Sequence, residues 1–362
     1  MRSLAAVPDG PGGRTAVKVQ GWGAPHRPGG VGANVIFGVM ELLTSILLVV
    51  VGLALLAGGG EALVRGATTV ARIAGLTPAV IGLTVVAAGT SLPELVVSIM
   101  AALRGTPDIA VGNVVGSNIF NIGAVLGAAA LVAPLAVHGA AVRLEWPVMF
   151  LASWIGFLLM RDFQLDRLEG GFFLASLVVF TAYSVYIARH EVSQQELTTY
   201  ASETAGRSLH PRTRELGFSL LAIVAGSGLL VLGGNLLVDG AVAIARHAGM
   251  TERVIGLTIV AAGTSAPELA ASLVAAYRGR SDLALANIIG SNIFNILGIL
   301  GVTALIHPIP IAAGIVHADA WWMLGFAVVL FPMMWTRRSI SRIEGGVLLA
   351  GYCVYLATLL RS

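Results

Sequence analysis

The 362-residue chain is 56% apolar and only 11% charged, with a formal net charge of +3. A soluble domain carries about 25% charged residues, so that class is excluded; with a mean hydropathy of +0.86 and many long apolar runs, the chain is a polytopic membrane protein. Its basic residues cluster in short loops, which speaks for orientation in a bilayer and against nucleic acid, and the single cysteine, Cys353, excludes an internal disulfide or a cysteine metal site.

Residues 1–38 are rich in Gly and Pro, lack periodicity and contain no apolar h-region. They read as a disordered tail and not as a secretory signal; Met40, directly before the first apolar run, is a candidate native start. Ten apolar segments follow, at roughly 41–63, 78–103, 108–132, 146–160, 170–188, 216–238, 253–277, 283–306, 320–336 and 344–360. Most have the ~17–25 residues that a spanning helix needs. The first and sixth extend further, because 64–75 and 239–249 still read as helix. A charged linker over 189–215 separates a first half, 39–188, from a second, 216–362.

The halves repeat one another. Residues 82–127 align with 256–301 at a constant offset of 174, with 29 of 46 positions identical. Polar residues inside the apolar runs keep their identity: Thr90/Thr264, Ser91/Ser265, Glu94/Glu268, Ser98/Ser272, Ser117/Ser291, Asn118/Asn292 and Asn121/Asn295. Packing alone would keep hydrophobicity and let polar identity drift, so this pattern points to chemistry. Five helices per half is an odd number, so the second half enters the membrane from the opposite side. The predicted fold is therefore all-α, with ten transmembrane helices in two inverted five-helix repeats, an arrangement typical of secondary transporters. With residue 40 outside, inner loops hold 12 Arg and outer segments after residue 40 hold six. The positive-inside rule then places both termini outside the cytoplasmic membrane.

In the motif GTSLPE, Pro93 lacks an N–H, so the Gly89 carbonyl loses its helical partner. Pro267 does the same to Gly263 in GTSAPE. In a bilayer a freed carbonyl must find another partner, and an ion can be one. Thr90, Ser91 and Glu94, with Thr264, Ser265 and Glu268, add oxygens at the two breaks. In each GSNIFN motif, Ser117 and Asn121, or Ser291 and Asn295, lie four apart on one helix face. Carboxylates, hydroxyls and amide oxygens suit hard cations such as Ca²⁺ and Na⁺. Glu94 and Glu268 are the ionisable residues near mid-span and together carry −2, matching one Ca²⁺, two Na⁺ or two protons. Asn118 and Asn292 sit one residue off the Ser/Asn face and either line the site or hold helices together. Arg104, Arg278, Asp108 and Asp282 fall at solvated turns, Glu61, Arg65 and Asp239 at helix ends, and Glu169 and Glu344 at helix N-termini, where the dipole favours a carboxylate.

At GTSLPE…GSNIFN and GTSAPE…GSNIFN the chain resembles the calcium:cation antiporter superfamily, and most closely the prokaryotic sodium/calcium exchangers, over about residues 41–360. The resemblance implies that helices 2, 3, 7 and 8 form the core and that helices 1 and 6 slide during alternating access. It implies ion ligands from the side chains of Thr90, Ser91, Glu94, Ser117, Asn121, Thr264, Ser265, Glu268, Ser291 and Asn295, and from the carbonyls of Ala87 and Ala261. Ser-Leu-Pro and Ser-Ala-Pro before the two Glu favour sodium coupling, since proton-coupled members have Asn-Ala there. Asn295 departs from relatives that carry Asp, which argues against potassium dependence. The expected function is a Na⁺/Ca²⁺ antiporter, not an enzyme, with no resident cofactor, no nucleic acid and no obligate protein partner. A Ca²⁺/H⁺ antiporter on the same fold is the alternative, and a cation channel a more distant one.

Overall fold

The computed structural model describes residues 31–73, 87–137, 141–191, 213–279 and 281–361. Residues 1–30, the stretch 74–86 at the start of the second apolar segment and linker residues 192–212 lie outside them. The first half contains α1 (Val31–Ile73), α2 (Ala87–Thr90), α3 (Leu92–Leu103), α4 (Pro107–Val132), α5 (Ala141–Asp162) and α6 (Arg167–Glu191). The second contains α7 (Thr213–Ala248), α8 (Glu252–Thr264), α9 (Ala266–Tyr277), α10 (Ala284–Ile306), α11 (Ile315–Thr336) and α12 (Arg342–Leu359). Among the described residues eight helices are long and apolar enough to cross a membrane, and the bent pair α8/α9 makes a ninth. The helical tails of the first and sixth segments are present, out to Ile73 and Ala248. One boundary moves: 31–38, expected in the tail, are the first turns of α1; this stretch holds no proline, and its glycines lower helix propensity without stopping a helix that continues out of an apolar span.

Burial sorts the helices into layers. α4 and α10 are the most enclosed, while α1 and α7 turn apolar side chains such as Leu43, Leu47, Leu221 and Val224 outward. A helix apolar on all sides is stable only in a core or against lipid. Glu344 and Glu169 start their helices as expected: Ser341 and Glu344 form a reciprocal capping box, and the backbone N–H of Glu169 donates to Asp166 Oδ1 at 2.8 Å.

α1 and α7 lie against each other along a seam of small residues spaced by seven. Ser45, Gly52, Gly59 and Gly66 on α1 face Gly240, Gly233, Gly226 and Ser219 on α7, in antiparallel order. A Cβ added at Gly59 would stand 2.8 Å from the Gly226 carbonyl oxygen, and one at Gly226 would stand 2.6 Å from the Gly59 carbonyl oxygen. Without a hydrophobic force between helices in lipid, close backbone contact of this kind drives association. The seam covers about 30 Å at ~1.5 Å per residue, the thickness of a bilayer core.

Two short bridges join the halves. β1 (Leu135–Ala136) pairs with β4 (Ser339–Ile340), and β2 (Gln164–Leu165) pairs with β3 (Ile309–Pro310), both antiparallel. Each bridge joins the loop after the third segment of one half to the turn before the last helix of the other. Those two loops share a membrane face only if the halves are inverted.

Arg253, one of the six arginines of the predicted outer segments, turns inward. Its Nε donates to Asp319 Oδ2 at 2.7 Å and its Nη2 to Asp319 Oδ1 at 3.2 Å, while the Tyr355 hydroxyl donates to Asp319 Oδ1 at 3.3 Å. Asp319 is buried, and the fork ties the start of α8 to α11 and α12. Removing one partner strands the other charge, so Asp319→Ala is expected to cost about 3–5 kcal/mol. Thermal unfolding of the purified protein in detergent checks this; a variant as stable as the parent would contradict it.

Candidate ion site

The second and seventh segments break where their prolines require. Pro93 and Pro267 sit in the first turns of α3 and α9, and the residues before those helices, Ser91 (φ −90°, ψ 8°) and Ser265 (φ −81°, ψ 9°), leave helical geometry. The α8/α9 break bends the chain by 46°. α4 and α10 also change winding at the site. Asn121–Leu126 and Phe294–Leu300 are π-helical turns, a feature that recurs at functional sites because it redirects side chains within a helix.

These irregularities bring the motifs of both halves together. Ser91, Glu94, Ser117, Asn121, Thr264, Ser265, Glu268, Ser291 and Asn295 are all buried. The bonds cross between halves. Ser265 Oγ donates to Glu94 Oε1 at 2.9 Å, and Ser91 Oγ donates to Glu268 Oε1 at 3.3 Å. Each carboxylate is thus held by the serine of the opposite repeat. Asn121 Nδ2 donates to Asn292 Oδ1 at 3.1 Å, and Asn295 Nδ2 donates to Asn118 Oδ1 at 3.3 Å. The Thr264 hydroxyl lies 3.0 Å from both Asn113 Oδ1 and the Val260 carbonyl. The Ala261 carbonyl accepts the Ser265 N–H at 3.1 Å and lies 3.3 Å from the Thr264 hydroxyl. The side chains of Thr90 and Ala87 lie outside the described residues.

Among the described residues, five buried oxygens at the site find no hydrogen-bond partner: Glu94 Oε2, Ser117 Oγ, Asn121 Oδ1, Ser291 Oγ and Asn295 Oδ1. A buried acceptor left unsatisfied costs roughly 1–3 kcal/mol, and more when charged. Paired repeat positions leave the same oxygens bare, and the donor set is hard oxygen throughout, a chemistry that suits hard cations.

Asn113 was not among the expected site residues. Its Nδ2 donates to the Glu94 carbonyl at 3.1 Å and to Ser98 Oγ at 3.0 Å, pinning α3 to α4 at the carboxylate. In the second half Asn287 Nδ2 reaches Ser272 Oγ at 3.3 Å. The signal was present, since Asn113 and Asn287 also keep a polar identity at the repeat offset.

Access is asymmetric. A cavity of about 1020 Å³ reaches Thr264, Pro93 and Pro267 from a mouth formed by Glu61, Arg65 and Arg278. At the repeat-related place on the other face, Arg104 donates to Asp239 and, at 2.6 Å, to Asn235 Oδ1, joining the end of α3 to α7. Gly234 of α7 sits so close to α3 that a Cβ would stand 2.9 Å from Val96; at Gly60, its repeat mate on α1, the nearest atom among the described residues is 3.9 Å away, on Pro93. Among the described residues, one route to the site is open and its counterpart is packed shut.

Residues 44–186 and 218–361, one stretch in each half, match the family described as sodium/calcium exchanger protein. The chain belongs to this family. Among its relatives, CaxA of Alkalimonas amylolytica is 42% identical over 325 residues, covering 89% of this chain and 100% of CaxA. The sodium/calcium exchanger MaX1 of Methanosarcina acetivorans is 31% identical over 346 residues, covering 88% and 99%. The solved structure of the sodium-calcium exchanger NCX_Mj, soaked with Na⁺ and Sr²⁺, is 30% identical with a TM-score of 0.59, covering 88% of this chain and 99% of that one. The protein is therefore an integral multi-pass membrane antiporter with the exchanger fold, and not an enzyme.

Proposed function

We propose that this exchanger couples Na⁺ entry to Ca²⁺ extrusion by alternating access, the two ions competing for the site built on Glu94 and Glu268. The observation that carries the reading is the buried cluster of crossed carboxylates and bare oxygens from both repeats. Two carboxylates offer −2, and Ca²⁺ or two Na⁺ compensate it equally. A site that is electrically costly when empty crosses between its two faces only when loaded, and that condition makes an exchanger and not a leak. The side chains of Thr90, Ser91, Ser117, Asn121, Thr264, Ser265, Ser291 and Asn295 and the carbonyls of Ala87 and Ala261 complete the ion positions. The one-sided cavity supports alternating access. With the Arg-rich loops in the cytoplasm and both termini outside, its mouth at Arg65 and Arg278 opens inward, and Arg104 closes the outer route.

Reconstituted vesicles loaded with Na⁺ and diluted into Na⁺-free medium test the coupling. Ca²⁺ uptake is expected to require internal Na⁺. Uptake indifferent to Na⁺ but driven by a pH gradient would replace sodium by protons as the coupling ion, and flux with no counter-ion would make the protein a channel.

A further inference from the structure

The two asparagines that sit off the ligand face, Asn118 and Asn292, are buried, and each accepts a hydrogen bond from an asparagine of the opposite repeat. Their other ends have repeat-related partners as well. Asn118 Nδ2 lies 3.7 Å from Met323 Sδ, and Asn292 Nδ2 lies 3.7 Å from Met149 Sδ. Met149 and Met323 are themselves buried and occupy equivalent positions, on α5 and α11.

A primary amide has two faces of nearly identical shape, one accepting and one donating. Which face meets the ion is a matter of hydrogen bonding and not of fit. A thioether sulfur accepts and cannot donate. Met323 therefore takes the N–H side of Asn118 and leaves its oxygen for Asn295. Asn295 must then donate, and its own oxygen is left over; that oxygen is one of the bare acceptors of the site. The same logic runs from Met149 through Asn292 to Asn121, whose Oδ1 is bare as well.

We infer that Met323–Asn118 and Met149–Asn292 are two polarity relays, positioning residues that hold the amide oxygens of Asn295 and Asn121 toward the transported cation and their N–H groups away from it. An amide free to flip would spend part of its time presenting N–H to a cation, which repels it. The relays deepen the functional reading above and rest on it, since they act on the same ion positions.

Ca²⁺ titration of the purified full-length protein by calorimetry separates the relay from plain packing. Asn118→Leu removes the acceptor and is expected to weaken Ca²⁺ binding roughly tenfold or more, the size of effect that a lost outer partner has at metal sites. In an Asn295→Asp background the same Asn118→Leu change is expected to alter affinity by less than about twofold, because both ends of a carboxylate accept and no orientation needs holding. Equal loss in both backgrounds would overturn the relay and assign Asn118 to packing. Met323→Leu conserves volume and is mild in a core, so it serves if Asn118→Leu folds poorly. It too should weaken Ca²⁺ binding with Asn295 present and not with Asp there, and unchanged affinity with Asn295 present would equally count against the relay. The wild-type protein in the same titration reports on the ion site by itself, so a failure of the site is told apart from a failure of the relay.

Discussion

Glu94→Gln and Glu268→Gln are each expected to abolish Ca²⁺ exchange while the protein stays folded and in the membrane. Glutamine keeps the size of the side chain and an oxygen for the crossed serine bond, Ser265 to position 94 or Ser91 to position 268. What it removes is one of two negative charges. At 4 Å and an effective dielectric of 20, a pair of unit charges is worth about 4 kcal/mol, and a divalent ion about twice that. A factor of ten needs only about 1.4 kcal/mol, so the loss should exceed a hundredfold. Ca²⁺ uptake into Na⁺-loaded vesicles, beside the thermal unfolding midpoint in detergent, separates the two effects. Wild-type uptake by either variant would refute the shared-carboxylate site.

The second large effect belongs to the seam. Gly59→Val should cripple transport or folding, and Gly58→Val should do neither. At Gly59 a Cβ meets the Gly226 carbonyl oxygen at 2.8 Å and the Leu230 nitrogen at 2.9 Å. These are backbone atoms and cannot rotate aside, so the two long helices must part. Overpacking costs about 1–3 kcal/mol in ordinary cores, and a helix pair obliged to separate along its length should lie at the upper end. At Gly58 no atom of the described residues lies within 4 Å. Uptake by Gly59→Val is expected to drop at least tenfold, with Gly58→Val within about twofold of the parent. If the two variants behaved alike, close contact at the seam would not matter to transport.

Much of this was legible without coordinates because it is local or self-comparative. Pro93 and Pro267 break their helices through a missing N–H and a ring, whatever surrounds them. The pairing of Glu94 with Glu268, or Asn121 with Asn295, needs only the chain laid against itself. Other features depend on neighbours distant in the chain. Asn118 was ambiguous because its role rests on Met323 and Asn295 meeting it from another repeat. Arg253 read as a loop charge because Asp319, 66 residues on, is what draws it inward. The π-helical turns beginning near Asn121 and Asn295 carry no composition of their own and arise where packing around the site asks the helix for an extra residue per turn.

The sequence by itself determined a membrane-embedded, duplicated chain with two carboxylates among conserved-in-repeat hydroxyls and amides, because hydropathy, proline geometry and residue identity are properties of the residues. Only the tertiary structure decided that each carboxylate is held by the other half's serine, and that among the described residues a cavity runs past Glu61 and Arg278 while Arg104 and Asp239 close the repeat-related place. The physical reason is the near-symmetry of the chain. Two almost equivalent halves have two almost equivalent packings, and the choice between them lies in contacts that form between the halves.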